Sequence, residues 1–208
     1  MKYTKHDLQT MQQRYRAHFV NSLSGYKSAN VIGTQDDQGF TNAAIVSSVI
    51  HLGADPALIA FINRPHTAPR HTLENIYATG VYTINQVTSE FYENAHHTAA
   101  RYERDQSEFD MANIAVERSE FPAPYLADAK IKMGIRFCEA KTLEINQTVL
   151  VIGEIEEVIL APEVPIADDG KIDISAPGTI CISGLDEYHT ASSLGRLAYA
   201  KPVTFLDK

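Results

Sequence analysis

Between Asn63 and Thr72 the chain reads Asn-Arg-Pro-His-Thr-Ala-Pro-Arg-His-Thr. Two arginines (Arg64, Arg70) and two histidines (His66, His71) stand together there without a carboxylate. The whole chain of 208 residues, in contrast, carries 26 Asp plus Glu against 18 Lys plus Arg, a formal net charge of −8. A cationic island in an acidic chain is chemistry for an anion. The residues that follow predict a short helix over 72–79, with Thr72 as N-cap, Glu74 in the first turn and Gly80 at its C-terminal stop. A helix start offers free N–H groups and a partial positive charge, so Arg64, Arg70, His71 and Thr72 together would suit a phosphate monoester. The plainer alternative is a solvated loop whose arginines pair with nearby carboxylates.

A second candidate lies upstream, in a run of strand character from Thr41 to Leu52 whose centre is Ile45-Val46-Ser47-Ser48-Val49-Ile50. Adjacent strand residues point to opposite faces, so at least one of the two serines faces inward and needs a polar partner. Thr41, Asn42, Ser47 and Ser48 offer hydroxyl, amide and backbone groups. These match the alternating donors and acceptors along the edge of an isoalloxazine ring, N1, O2, N3–H, O4 and N5. The alternative for the serine pair is ordinary outward polarity of a strand.

These residues must be positioned by a mostly β chain. An amphipathic helix is expected over about residues 4–20, from Leu8, Met11, Tyr15 and His18/Phe19, with Thr4 as N-cap. Short β-rich runs follow at 29–34, 40–52, 57–62 and 81–87, and Asp36-Asp37-Gln38-Gly39 has the composition of a hairpin turn. A second helix is expected from about Ser89 to Tyr102, with Arg101–Asp105 and Arg104–Glu108 as i,i+4 pairs if it continues. Long β-rich runs return at 130–145 and 148–161, Asp168-Asp169-Gly170-Lys171 reads as another turn, and Thr179–Ser183 as a last short strand. The class is mainly β with helical insertions (α+β), a barrel in one domain over 1–208, with a C-terminal extension from about residue 184.

The acidic balance excludes nucleic-acid binding by bulk electrostatics. No apolar run approaches the roughly 18 residues that span a bilayer, and the polar N-terminus has no signal character, so no membrane role and a cytoplasmic location are expected. Cys138 and Cys181 sit in apolar stretches without ligand spacing and read as buried free thiols. No metal site is expected, because the adjacent pair His96-His97 would diverge on a helix and no Glu or Cys stands at ligand spacing.

Five ordered blocks carry a resemblance. They are Thr41-Asn42-Ala43-Ala44-Ile45-Val46-Ser47-Ser48, Asp55-Pro56-Ala57-Leu58, His71-Thr72-Leu73-Glu74-Asn75-Ile76, Tyr82-Thr83-Ile84-Asn85 and Val151-Ile152-Gly153-Glu154-Ile155. In order and spacing they resemble the flavin reductase-like proteins of the FMN-binding split-barrel fold, over roughly residues 25–160. The C-terminal stretches Gly184–His189 and Arg196–Pro202 look like one branch of that family.

The resemblance implies a homodimer with FMN in a cleft at the subunit interface. The ring edge would lie against Thr41, Asn42, Ala43, Ser47 and Ser48, and the phosphate near Arg64, Arg70, His71 and Thr72. It also implies hydride relay from NAD(P)H through the flavin to a second flavin or a small acceptor, with the cofactor carrying the chemistry. The chain departs from the family where a Gly-Asp-His-like element precedes the Gly-Glu-Ile strand; here the residues are Ile145-Asn146-Gln147-Thr148. His97 and His189 are the candidates to serve the reductant or substrate side in its place. No GxGxxG fingerprint occurs. The missing histidine also leaves room for a non-catalytic FMN-binding electron store or redox sensor, and a flavin-free dimeric scaffold is the third possibility.

Overall fold

The computed structural model describes residues 1–65 and 69–202. His66 of the cationic segment and residues 203–208 of the C-terminal extension lie outside them. Two helices replace the single one expected at the start, α1 (Lys5–Thr10) and α2 (Gln13–Ser22). Thr4 caps the first as expected: its side chain accepts from Asp7 N while Asp7 accepts in turn from Thr4 N. Met11 then leaves the helix in extended geometry, and Gln12 caps the second by accepting from Tyr15 N at 2.9 Å. The apolar spacing runs through this break, which is why periodicity alone merges the two.

The strands follow as β1 (Lys27–Ser28), β2 (Asn30–Gln35), β3 (Thr41–Val46), β4 (Ile50–Ala54) and β5 (Ala57–Asn63). After α3 (His71–Thr79) come β6 (Val81–Gln86), α4 (Tyr92–His97), α5 (Glu108–Met111), β7 (Val116–Glu117) and β8 (Tyr125–Leu126). The last strands are β9 (Ile131–Thr142), β10 (Val149–Leu160), β11 (Ile180–Ser183) and β12 (Glu187–Thr190). The main sheet has seven strands in the order β3-β2-β6-β9-β10-β5-β4, every neighbouring pair antiparallel. Its two edge strands, β3 and β4, are consecutive in the chain. The run expected as one strand over 40–52 therefore turns a corner at Ser47–Val49 and brings the ends of the sheet together.

Alternation sorts the side chains into two larger interiors, beside a third, smaller cluster of Val81, Phe121, Ala123 and Tyr125. Val31, Ala43 and Val87 pack with Phe91, Phe109 and the β11 residues Ile180 and Ile182. Ile32, Phe61, Tyr82, Ile84 and Ile135 pack with Leu73 and Ile76 of α3. Gly153, in the Gly-Glu-Ile block, marks a register shift between β10 and β9. A Cβ there would collide with Ile135 Cγ2 and stand 2.7 Å from both the Arg136 carbonyl and the Tyr82 hydroxyl, so the position tolerates only glycine without movement.

The helix expected over 89–102 shrinks to α4, and neither of the i,i+4 pairs forms. Arg104 instead pairs with Glu74 and approaches Asp36 at 3.8 Å, while Glu108 is buried beneath β3. The cysteines also differ from expectation: Cys138 is exposed and Cys181 half-buried. Cys138 lies where β9 runs past the body toward its hairpin with β10, so apolar neighbours in sequence do not translate into burial.

Candidate functional site

β3 is an edge strand, and an edge strand presents unpaired backbone groups on one side. Here a connecting segment closes that side. The Ala43 N–H donates to Glu108 Oε2 at 3.1 Å, the Ile45 N–H donates to Thr98 Oγ1 at 2.9 Å, and the Thr41 and Ser107 hydroxyls share a hydrogen bond of 2.7 Å. Residues 98–108 thus act as a side-chain substitute for a further strand. The N–H group of Ala43, which the resemblance makes a candidate for the ring edge, and that of Ile45 are both used within the chain.

The corner after β3 is held in the same manner. Ser48 Oγ accepts from the Ile62 N–H at 3.1 Å and donates to the Ile62 carbonyl at 3.2 Å, replacing a backbone ladder step between the corner and β5. Ser47 is half-buried, and its hydroxyl has no hydrogen-bond partner among the described residues. Of the two serines, Ser48 builds the corner and Ser47 is the one with a free hydroxyl.

Asn42 joins this strand to the cationic segment. Oriented so that both ends of its amide are satisfied, it accepts from the Thr72 hydroxyl at 2.9 Å and donates to Glu108 Oε2 at 3.3 Å. The two groups of residues singled out in the sequence therefore meet in one network running Thr72, Asn42, Glu108, Ala43. Burial raises the Glu108 carboxyl above its ordinary range, against the hydrogen bond from Ala43, which acts to lower it. Thr72 is not the N-cap expected from the sequence: it lies inside α3 and is buried. Arg70 holds the cap position without a side-chain bond. Its N–H donates to Glu74 Oε1 at 3.0 Å, so Glu74 reaches back over the first turn.

Around that helix start the arginines gather. The Arg70 guanidinium is held below its usual proton affinity, first by burial and then by the charges of Arg64 and Arg101. Arg70 Nε donates to the Pro65 carbonyl at 3.3 Å, and among the described residues neither Arg64 nor Arg70 pairs its guanidinium with a carboxylate. Arg70, in the field of Arg64 and Arg101 and without a carboxylate partner for its guanidinium among the described residues, stands at the start of a nine-residue helix, an arrangement that suits an oxyanion. His71 is half-buried and lines a small pocket with Thr41, Asn42, Asn75, Arg104 and Glu108.

The two histidines proposed for the reductant side are not drawn into this network. His97 is exposed at the end of α4, without a hydrogen-bond partner among the described residues. His189 lies in the small sheet β1-β11-β12, with Nε2 2.8 Å from Ser183 Oγ and its ring edge-on to Tyr26 at 4.9 Å. The histidine that does make a contact in α4 is His96, 2.8 Å from the Tyr188 hydroxyl. Burial, reinforced by Asp186, pushes the Tyr188 phenol up to about 12. Sequence reasoning missed Ser107, took Arg101 and Glu108 only as members of helical ion pairs, and considered Thr98, beside His96 and His97, for the flavin or substrate side instead of the edge of β3 that it serves. The start of a new helix at Ser107, whose side chain accepts from Phe109 N, was the available signal that the preceding helix had ended.

Comparison with known proteins resolves what this frame is. Residues 23–171 match the flavin reductase like domain. The chain belongs to that family. Its fold is the split barrel: a protein from Shewanella frigidimarina NCIMB 400, provisionally assigned as a flavin reductase with a split barrel domain, superposes with a TM-score of 0.92 at 50% identity, over 96% of this chain and 100% of that one. Nitrilotriacetate monooxygenase component B from Bacillus cereus shares the fold at 18% identity and a TM-score of 0.82, over 95% and 98% of the two chains. The flavoredoxin of Desulfovibrio vulgaris (Miyazaki F) does so at 18% identity and a TM-score of 0.74, over 96% and 98%. Family membership makes this protein a flavin-related oxidoreductase, with a flavin as cofactor or substrate. Among the described residues no helix is long and apolar enough to cross a membrane.

Proposed function

We propose that the protein is an FMN-dependent reductase that takes hydride from NAD(P)H and passes it to a flavin or another small acceptor, working as a homodimer in the cytoplasm. The observation that carries this reading is the convergence of Arg64, Arg70 and Arg101 at the start of α3, tied to β3 through Thr72 and Asn42. A site for one terminal phosphate stands at the end of a polar strand, which is the layout of a mononucleotide. When bound, FMN would supply a ring nitrogen that accepts and releases hydride.

The chain's own residues bind and orient. Arg64 and Arg70 would hold the phosphate, with the first-turn N–H groups of α3. His71, at the first position of that helix, lines the neighbouring pocket. Ser47 would offer its free hydroxyl to the ring edge. Thr41, Asn42, Ala43 and Ser48 act through the backbone they fix, since their own polar groups are engaged by Ser107, Thr72, Glu108 and Ile62. A flavin needs both ring faces covered and one subunit offers a strand and a loop, so a second subunit completes the cleft.

The turn Leu143–Thr148 has no histidine and favours a second reading, an electron carrier that holds FMN without using NAD(P)H. One measurement separates them. The purified yellow protein, kept anaerobic, should bleach on addition of NADH or NADPH; a protein that bleaches with dithionite alone is a carrier, and a colourless protein that takes up no FMN refutes both.

A further inference from the structure

A groove of about 380 Å³ lies between the β2–β3 turn and the segment after α4, lined by Asp36, Gln38, Phe40, Glu103, Arg104 and Asp105. Both walls are fixed by the chain's own bonds. Asp36 Oδ1 accepts from the Gln38 N–H at 3.0 Å and the Phe40 N–H at 2.9 Å, and the Asp36 N–H donates to the Phe40 carbonyl at 3.0 Å. Opposite, the Gln106 N–H donates to the Glu103 carbonyl at 3.0 Å, while the Gln106 side chain accepts from the Glu103 N–H at 3.3 Å. Arg104 ties the walls to each other and to α3, through Glu74, Asn75 Oδ1 at 3.4 Å and Asp36 at 3.8 Å. A concave surface that is already ordered loses little entropy when a ligand enters it.

The groups left unspent inside it describe the ligand. Phe40 is 51% exposed and offers an aromatic face to the groove. Among the described residues the Gln38 side-chain amide and the Glu103 and Asp105 carboxylates have no partner. A flat ring stacked on Phe40 therefore meets a rim of carboxylates, which accept hydrogen bonds and give none, and one amide that does both. Adenine fits that rim: its exocyclic amine donates, its N7 pairs with an amide, and it carries no carbonyl oxygen for the carboxylates to repel. An isoalloxazine or a uracil would bring carbonyl oxygens there. A free ammonium ligand is opposed by Arg104 in the groove itself.

The groove also leads toward cations. It shares Asp36, Phe40 and Arg104 with the small pocket that reaches His71 at the start of α3. That pocket has room for about one water, so a ligand passes across its mouth. Arg101, three residues before Arg104, stands near enough to Arg70 for their charges to oppose one another. Among the described residues Arg101 has no carboxylate partner, whereas Arg104 has two. The FMN phosphate proposed above takes Arg64 and Arg70 and leaves Arg101 over.

We propose that this groove takes the adenosine phosphate half of the dinucleotide that exchanges electrons with the bound flavin, with adenine on Phe40 and Gln38 and phosphate toward Arg101. NAD(P)H as donor and FAD as acceptor carry that same half. The inference rests on the reading of the protein as an FMN-dependent reductase and adds where its second nucleotide binds.

Calorimetric titration of AMP into the FMN-loaded full chain tests this. AMP should bind without releasing FMN, and UMP about tenfold more weakly. Phe40→Ala should weaken AMP by about tenfold or more, and Phe40→Tyr, which keeps the ring, should bind AMP as the parent does. Gln38→Ala should narrow the preference for AMP over UMP. Steady-state kinetics tell the two sources apart. A raised KM for NADH or NADPH in Phe40→Ala, with kcat held, assigns the groove to the donor; a raised KM for FAD, with that for riboflavin held, assigns it to the acceptor. AMP that binds the parent and Phe40→Ala alike, that is displaced by FMN, or that fails to bind at millimolar concentration overturns the groove. A chain that takes up no FMN yet binds AMP through Phe40 supports the groove and counts against the flavin site, while FMN bound and AMP refused does the reverse.

Discussion

Replacing Arg70 with alanine perturbs the proposed phosphate site at its centre, and the structure fixes the sign of two effects. Arg70 stands in the field of Arg64 and Arg101, which disfavour its charged form, and its guanidinium has no carboxylate partner among the described residues. Without ligand the substitution therefore relieves repulsion and forfeits one hydrogen bond to the Pro65 carbonyl, at 3.3 Å a long one. The apo protein should melt within a degree or two of the parent, because surface changes of this kind stay within about 0.5 kcal/mol. With FMN the balance reverses. A charge-assisted hydrogen bond to a phosphate contributes about 1.5–3 kcal/mol, so the dissociation constant should rise by roughly 10- to 150-fold. Arg64→Ala should act in the same direction without touching the Pro65 carbonyl, and the double variant should lose most binding. Quenching of flavin fluorescence on titration gives the affinities, and a thermal melt of the apo forms gives the control. Unchanged FMN affinity in Arg70→Ala, with an intact fold, would place the phosphate elsewhere; an apo form that melts many degrees lower would show that Arg70 is structural.

Four further outcomes follow from the same geometry. Gly153→Ala puts a methyl group against Ile135 and the Arg136 carbonyl and should cost about 1–3 kcal/mol, read as an earlier midpoint in urea with an unchanged slope. Ser48→Ala removes both hydrogen bonds to Ile62 and should cost about 1–3 kcal/mol, whereas Ser47→Ala, with no partner to lose, should leave stability alone and weaken flavin binding. Cofactor released by heat should run on a column as FMN; a predominance of FAD would mean that the arginines hold a pyrophosphate. Glu108→Gln should gain stability relative to the parent as pH rises from the ordinary carboxyl value of 4.5 through the raised folded value, because burial penalises the ionised form that only the parent acquires; a difference that shrinks with rising pH would show that His71 and Arg104, which line the same pocket, stabilise the carboxylate instead.

Much of the frame was legible because it is written in local signals. The Asp36–Gly39 turn forms as its residues require, with Asp36 Oδ1 accepting from Gln38 N and Phe40 N and Gly39 at φ +88°. Gly80 ends α3 in the left-handed conformation, and the long runs near 130–145 and 148–161 become the paired strands β9 and β10. What failed had a common cause. The corner at Ser47–Val49 is invisible to alternation because Ser48 supplies from its side chain the bonds a ladder would supply from the backbone. The helix expected over 89–102 is cut short for a related reason: beyond Thr98 the segment serves the free edge of β3, and its polar groups turn toward that edge instead of pairing along a helix.

The same distinction separates what the sequence says of the site from what it hides. Residue types pointed to both halves of the proposed site, the polar strand and the cationic loop, since hydroxyls within an apolar run and arginines without carboxylates need a partner wherever they lie. Roles could not be read, because a role depends on which partner is near. Asn42 and Thr72 were each chosen as ligand residues, yet they face one another; Thr41 faces Ser107, and Ser48 faces Ile62. Among the described residues, fewer of the candidates remain unspent: the Ser47 hydroxyl, the His71 ring, the Arg64 guanidinium, and that of Arg70 apart from its Nε, which donates to the Pro65 carbonyl. A ligand is recognised by groups the protein leaves unpaired at little cost to itself, and cations at a surface satisfy that condition better than buried hydroxyls do. The engaged residues fix the distance between strand and helix, so the spacing between the proposed ring and phosphate sites would be set by the contact of Asn42 with Thr72, a contact neither half of the sequence reveals alone.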